Sequence, residues 1–215
     1  MKLRYFFLCG MIAPVLFILT AILGGALRPG YSHITETVSE LFSPGSPNKP
    51  LLDAFHTIFA ILLILFGIGV LLFVRRSKQK MLLGSLGAAL YIAMGCVSVA
   101  TAAIFPQDAW GSPPTFQGQM HITLTGIVGL LSIASILLLG IWFQQVKLFP
   151  GFKTFSFITI GLVVLSAAIF ILMMGGPIMG LTERITALVG FTWTFVLARW
   201  LYINDRDKQT RKVDV

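Results

Sequence analysis

The sequence predicts an all-α polytopic membrane protein, a bundle of six transmembrane helices with the N- and C-termini cytoplasmic. Three observations predict it. Of 215 residues, 56% are hydrophobic and 11% charged, and the mean hydropathy is +0.89. A soluble domain carries about a quarter charged residues, so this chain has the composition of one solvated by lipid. The apolar residues gather into six stretches, each close to the ~20 residues that cross a bilayer core. The basic residues gather in short clusters between those stretches.

The stretches run over 5–27, 51–74, 81–105, 120–143, 154–176 and 181–203. In the first, Lys2 and Arg4 precede an apolar run that ends in Gly24-Gly25-Ala26, which is also how a signal peptide begins. The run exceeds the roughly 7–15 apolar residues of a signal, which favours a retained helix. Pro14 lies well inside it and predicts a modest kink. Pro50 suits the first turn of the second helix. Gly175-Gly176-Pro177 predicts a tight turn between the fifth and sixth. Residues 1–203 form a single transmembrane domain, and 204–215 read as a short flexible cytoplasmic tail.

Orientation follows from Lys and Arg. With the N-terminus inside, Lys2, Arg4, Arg75, Arg76, Lys78, Lys80, Lys147, Lys153, Arg199, Arg206, Lys208, Arg211 and Lys212 are cytoplasmic. Only Arg28, Lys49 and Arg184 are outside. That bias is the positive-inside pattern of a bacterial or archaeal plasma membrane protein. Trp200 and Tyr202 suit an aromatic belt at the inner boundary. The net charge of +8 and pI near 9.9 do not point to nucleic acid, because the cations are divided among loops instead of sharing one soluble face. Cys9 and Cys96 fall inside apolar runs, which excludes a disulfide framework and a CxxC motif.

The two long loops, 28–50 and 106–119, are both outside. In the first, Ile34, Val38, Leu41 and Phe42 recur at helical spacing. They predict a short amphipathic helix over 31–42 with His33, Glu36 and Glu40 on its opposite face, lying over the bundle mouth. Ser43-Pro44-Gly45-Ser46-Pro47 ends it.

Outside the C-terminal tail, all the other acids and histidines gather at this same outer end. Asp53 and His56 are one turn apart near the start of the second helix, and His121 opens the fourth. Asp108 follows the third, and Glu183 and Arg184 open the sixth. Polar groups at such depth face the bundle interior and pair. The expectation is a polar His/Asp/Glu pocket with His33, Glu36, Glu40, Glu183 and Arg184 as ligand-binding residues.

Several chemistries fit these residue types. His56, His121 and Asp108 could bind a divalent metal such as zinc, which would activate water against a lipid ester or amide. Asp53 could orient His56 as a general base, with Ser39 as nucleophile. His56 and His121 could be axial ligands to haem. A non-enzymatic lipid-binding or sensory protein would use the same pocket as a receptor, with membrane lipids as partners. A plainly structural reading stands beside these: Asp53 and Glu183 sit where carboxylates favour the helix dipole.

At these positions the chain resembles the DUF998 family of six-helix prokaryotic membrane proteins. The likeness lies in His33-Ile34-Thr35-Glu36-Thr37-Val38-Ser39-Glu40-Leu41 after the first helix, and in Pro47-Asn48 before the second. It continues in Phe105-Pro106-Gln107-Asp108 and His121. The Ser-Glu-Leu and Phe-Pro-x-Asp segments are its most specific parts. The resemblance implies the fold and the region of interest, and it carries no reaction. A fainter likeness is to the FRAG1/DRAM/Sfk1 six-helix proteins, some linked to lipid handling. The ceramidase-like membrane hydrolases offer an analogy through Ser, Asp and three His around zinc, but this chain lacks their His-x-x-x-His in the last helix.

One consequence is directly measurable. In a background without Cys9 and Cys96, a cysteine introduced at Ser112 should react with an impermeant thiol reagent on intact cells, and one at Ser77 should not. The reverse pattern would overturn the topology.

Overall fold

The computed structural model describes residues 3–210, with side chains to residue 205. Six helices are long and apolar enough to cross a membrane: α1 (Arg4–Leu27), α2 (Lys49–Ser77), α3 (Met81–Ile104), α4 (Phe116–Gln145), α5 (Phe152–Leu172) and α6 (Met179–Thr210). A 3-10 helix, Ser39–Phe42, lies between α1 and α2. There is no strand among the described residues. The protein is thus an all-helical, multi-pass membrane protein. Residues 204–210, expected as the start of a tail, continue α6, and 211–215 lie outside the described residues.

Helix boundaries follow the sequence signals. Pro50 falls in the first turn of α2, where its missing N–H breaks no bond. Lys78 and Lys80 take left-handed conformations in the three-residue turn to α3, and Gly151 takes one before α5. Pro14 is accommodated within a continuous α1.

Each helix packs on its neighbours in chain order, and α6 returns to α1, closing a ring. All connections therefore alternate between two ends. One end carries both termini with the α2–α3 and α4–α5 turns. The other carries the long loops and the α5–α6 turn, and is called the loop end below. At most 44% of any span's most apolar window is buried within the bundle, so the helices keep an apolar outer face for lipid.

Lipid tails are as apolar as Leu, so helices associate by close contact and internal hydrogen bonds. Small residues supply the contact. A side chain on Gly87 would strike Leu139 of α4, and one on Gly140 would strike Ser156 of α5. The core of the terminus half is aromatic: Phe66, Trp142, Phe143, Phe152 and Trp193 are all fully buried. Buried polar atoms are paired. Trp193 Nε1 donates to Ser156 Oγ at 2.9 Å, and Ser156 donates to the Phe152 carbonyl at 2.8 Å. Tyr91 of α3 and Thr194 of α6 share a 2.9 Å hydrogen bond across the bundle.

The loop half is looser. The inward stripe of α6 is buried at Trp193, Thr194, Leu197 and Leu201 but only half-buried at Thr186, Ala187 and Gly190. A methyl group added to Gly190 would meet open space.

This pairing predicts a contrast. Ser156→Ala leaves a buried indole N–H without an acceptor, so it should destabilise by about 1–3 kcal/mol. Tyr91→Phe should cost less, because the Thr194 hydroxyl keeps the Gly190 carbonyl. Thermal unfolding in detergent reads both, and equal losses would refute the assignment.

Candidate functional site

The expected helix over 31–42 does not form. The segment is a series of turns ending in the 3-10 helix, and local side-chain bonds to the backbone replace the helical ladder. Glu36 Oε2 accepts from the Ser32 N–H at 2.8 Å, and Glu40 Oε2 accepts from the Thr37 N–H at 2.9 Å. The predicted faces change accordingly. Val38, Leu41 and Phe42 are buried with Ala21 of α1 and Leu52 of α2, as an apolar underside. Ile34 is instead exposed and Glu40 is buried. Glu40 is satisfied from both sides, since its Oε1 also accepts from the Trp110 N–H of the second loop at 3.4 Å.

Residues 28–48 thus form a cap on the loop end, and α6 holds it. Glu183 accepts from the Val38 N–H and, at 3.1 Å, from the Ser39 hydroxyl. Arg184 Nη1 donates to the His33, Glu36 and Gly180 carbonyls, each at 2.8 Å. Its Nη2 donates to the Tyr31 hydroxyl and to His33 Nδ1. The Leu181 N–H donates to the Ile34 carbonyl at 2.9 Å. Gly180 makes this approach possible, because any side chain there would collide with the Glu36 carbonyl. Arg28 ties the near side, pairing with Glu36 at 3.3 Å and donating to the Glu40 carbonyl. Burial pushes the Tyr31 phenol up to about 12, so it stays a neutral donor to the Thr37 carbonyl.

A second group lies between α2 and α4. The Asp108 carboxylate accepts from the Thr115 N–H at 2.8 Å and the Thr115 hydroxyl at 2.7 Å. Thr115 in turn caps α4 by accepting from the Gly118 N–H. The Thr115 N–H, ahead of its hydroxyl, holds the Asp108 carboxyl below its ordinary range. His121 Nδ1 donates to the Phe105 carbonyl at 2.8 Å, joining α4 to the end of α3. Lys49 Nζ holds Asp53 at 2.7 and 2.9 Å, so Asp53 does not orient His56 by a hydrogen bond. His56 lies within electrostatic reach of Asp53 and His121. Its ring stands against Phe42 of the cap and Phe59, with centroids at 5.3 Å in both cases. No side-chain hydrogen bond to His56 forms among the described residues, and the ring is half-buried with its nitrogens accessible.

The expected pocket is therefore largely taken up by structure. Among the described residues, no three of His, Cys, Asp and Glu stand close enough to hold a metal ion. The expected zinc set His56, His121 and Asp108 is not brought together, because the Asp108 carboxylate is turned to the Thr115 N–H and hydroxyl. Ser39 donates to Glu183, not to a histidine. A groove of about 460 Å³ does open between cap and second loop, lined by Thr35, Glu36, Glu40, Trp110 and Met179 among others, without any histidine.

The family model described as "Protein of unknown function (DUF998)" matches residues 11–200. The chain belongs to the DUF998 family. Neither the curated proteins nor the solved structures give a match. The match in this DUF998 protein spans all six helices, the cap and the second loop.

Sequence reasoning missed Tyr31, Trp110, Thr115 and Gly180. Thr115 three residues before Gly118 was a readable cap signal. Gly180 beside Glu183-Arg184 offered a weaker one, a small residue where a charged helix start meets a loop.

The anchoring predicts how the cap opens. Arg184→Ala removes several charge-assisted bonds, each worth about 1.5–3 kcal/mol, so the Val38 and Ser39 amides should exchange hydrogen at least tenfold faster. Acid should act in the same direction. Burial, then Arg184, holds His33 below its ordinary 6.5. A histidine with a depressed folded value binds its proton more weakly when folded, so stability falls as pH drops below about 6.5. In His33→Gln that step, corrected for intrinsic exchange, should vanish. Unchanged exchange in Arg184→Ala would dismiss the clamp.

Proposed function

We propose that this protein is a membrane-embedded, non-enzymatic binding protein for a lipid-like molecule. The ligand lies between the helices beneath the cap, with its polar head at His56. The carrying observation is His56 itself. Its neighbours at the loop end find protein partners, whereas this imidazole sits between two phenyl rings with no hydrogen bond among the described residues. Its half-buried ring leaves the nitrogens accessible and open to a polar group of a ligand, which at membrane depth is a partner worth having. The half-buried inward stripe of α6 and the open space at Gly190 support room for an acyl chain nearby. The positive-inside pattern supports a cap on the outer face of a plasma membrane, with entry from the outer leaflet.

A metal-assisted lipid hydrolase at this site draws less support, since Ser39, Asp108 and His121 already serve the cap and the α3–α4 junction.

The test uses a photoactivatable phospholipid with purified full-length protein in nanodiscs. Crosslinks should map to α2, α4 and α6 in the loop half. They should fall about tenfold in His56→Phe, which keeps an aromatic ring but loses one polar contact. Equal labelling in both proteins would overturn the reading. About one zinc per chain, lost in His56→Ala and His121→Ala along with cleavage of the lipid, would replace it with the hydrolase.

A further inference from the structure

The terminus end carries its own site. The α4–α5 turn encloses a groove of about 520 Å³ whose lining includes Phe143, Lys147, Phe149, Lys153, Thr154 and Phe157. That volume falls within the roughly 300–1,000 Å³ of small-ligand sites.

Its floor is rigid. The Phe149 ring stacks between Phe152 and Trp200, with centroids at 4.6 Å and interplanar angles of 11° and 9°. Phe143 packs edge-on to Phe149 and to Trp200. Left-handed conformations at Lys147 and Gly151 shape the turn around this stack. The two lysines therefore stand on an ordered frame at opposite ends of the turn.

Both lysines lack an acidic partner. Among the described residues the ion pairs are Arg28–Glu36 and Lys49–Asp53, both at the loop end. Lys153 Nζ instead stands 5.6 Å from the Phe157 ring centroid. Phe157 is exposed and points an apolar surface toward lipid. The groove thus joins two unneutralised cations to an aromatic wall that continues onto the hydrocarbon-facing side of α5.

An occupant must match both parts: an anionic head for the lysines and acyl chains for the outer face. We infer that this groove binds the headgroup of an anionic phospholipid, with its chains running along α5. Basic pockets between membrane helices hold such headgroups through the same combination of charge and apolar wall. With the terminus end cytoplasmic, the lipid belongs to the inner leaflet. The site is distinct in place and chemistry from the one at His56, and either can fail alone.

The experiment is native mass spectrometry of the full-length protein released from nanodiscs containing phosphatidylglycerol and phosphatidylcholine in equal amounts. Wild type should retain phosphatidylglycerol preferentially. Lys147→Gln with Lys153→Gln should lose about thirty-fold of that preference, from the attraction expected of two lysines near an anionic surface. Lys147→Arg with Lys153→Arg should keep it, which separates charge from misfolding. Lys78→Gln with Lys80→Gln should also keep it. If that control loses the preference equally, a diffuse basic collar accounts for the effect and the groove is refuted. Absence of preference in wild type refutes it too. Glycerol phosphate at millimolar concentration should not compete. Full displacement by it would identify a soluble phosphate as the occupant and overturn the lipid assignment.

Discussion

The arrangement of the loop end depends on two adjacent residues of opposite charge at the start of α6. Glu183 takes hydrogens from the cap, through the Val38 amide and the Ser39 hydroxyl. Arg184 gives hydrogens to it, through the His33 and Glu36 carbonyls and the Tyr31 hydroxyl. Donors and acceptors of an irregular loop are satisfied together, which is the condition for backbone without secondary structure to sit against a membrane bundle. With the cap fixed, Phe42 stands over His56 and Glu40 reaches the second loop.

The two halves of the bundle have different physics. In the terminus half, large rings and small residues interlock, and the few buried polar atoms form short, closed pairs. Such packing gives helices their association energy where the hydrophobic effect between them is absent. In the loop half, the inward stripe of α6 is only half-buried at Thr186, Ala187 and Gly190, before Met179 and Thr182 are buried again beneath the cap. The dense half fixes the helices, and the loose half leaves space between them.

The candidate residues consequently divide by role. Glu36, Glu40, Glu183 and Arg184 build the cap, and Asp108 and His121 fasten the junction of α3 with α4. Among the described residues, His56 has ring contacts with Phe42 and Phe59 and no hydrogen-bond partner. At the far end, Lys147 and Lys153 have no acidic partner among the described residues. In both places the group whose polar atoms lack a hydrogen-bonded or acidic partner among the described residues is the one with binding capacity to spare.

Much of the fold was legible. Hydropathy is a local property, and a span of about 20 apolar residues has few other solutions, so the six helices appear close to where the sequence places them. The tight turn at Gly175-Gly176-Pro177 and the first-turn Pro50 were legible for the same reason. The cap was not. Helical periodicity in 31–42 competes with carboxylates that bond nearby amides, and a pattern of apolar residues carries no sign of that competition. Glu40 was placed on the face opposite the apolar residues and is buried with them, because its partners are Thr37 beside it and Trp110 on another loop. By itself, then, the sequence determined the membrane class, the number of helices and the end at which the acids and histidines collect. Only the tertiary structure decided which of those groups are consumed by one another. Glu183 and Val38, far apart along the chain, meet only when α6 closes the ring against α1, and no local pattern encodes that meeting.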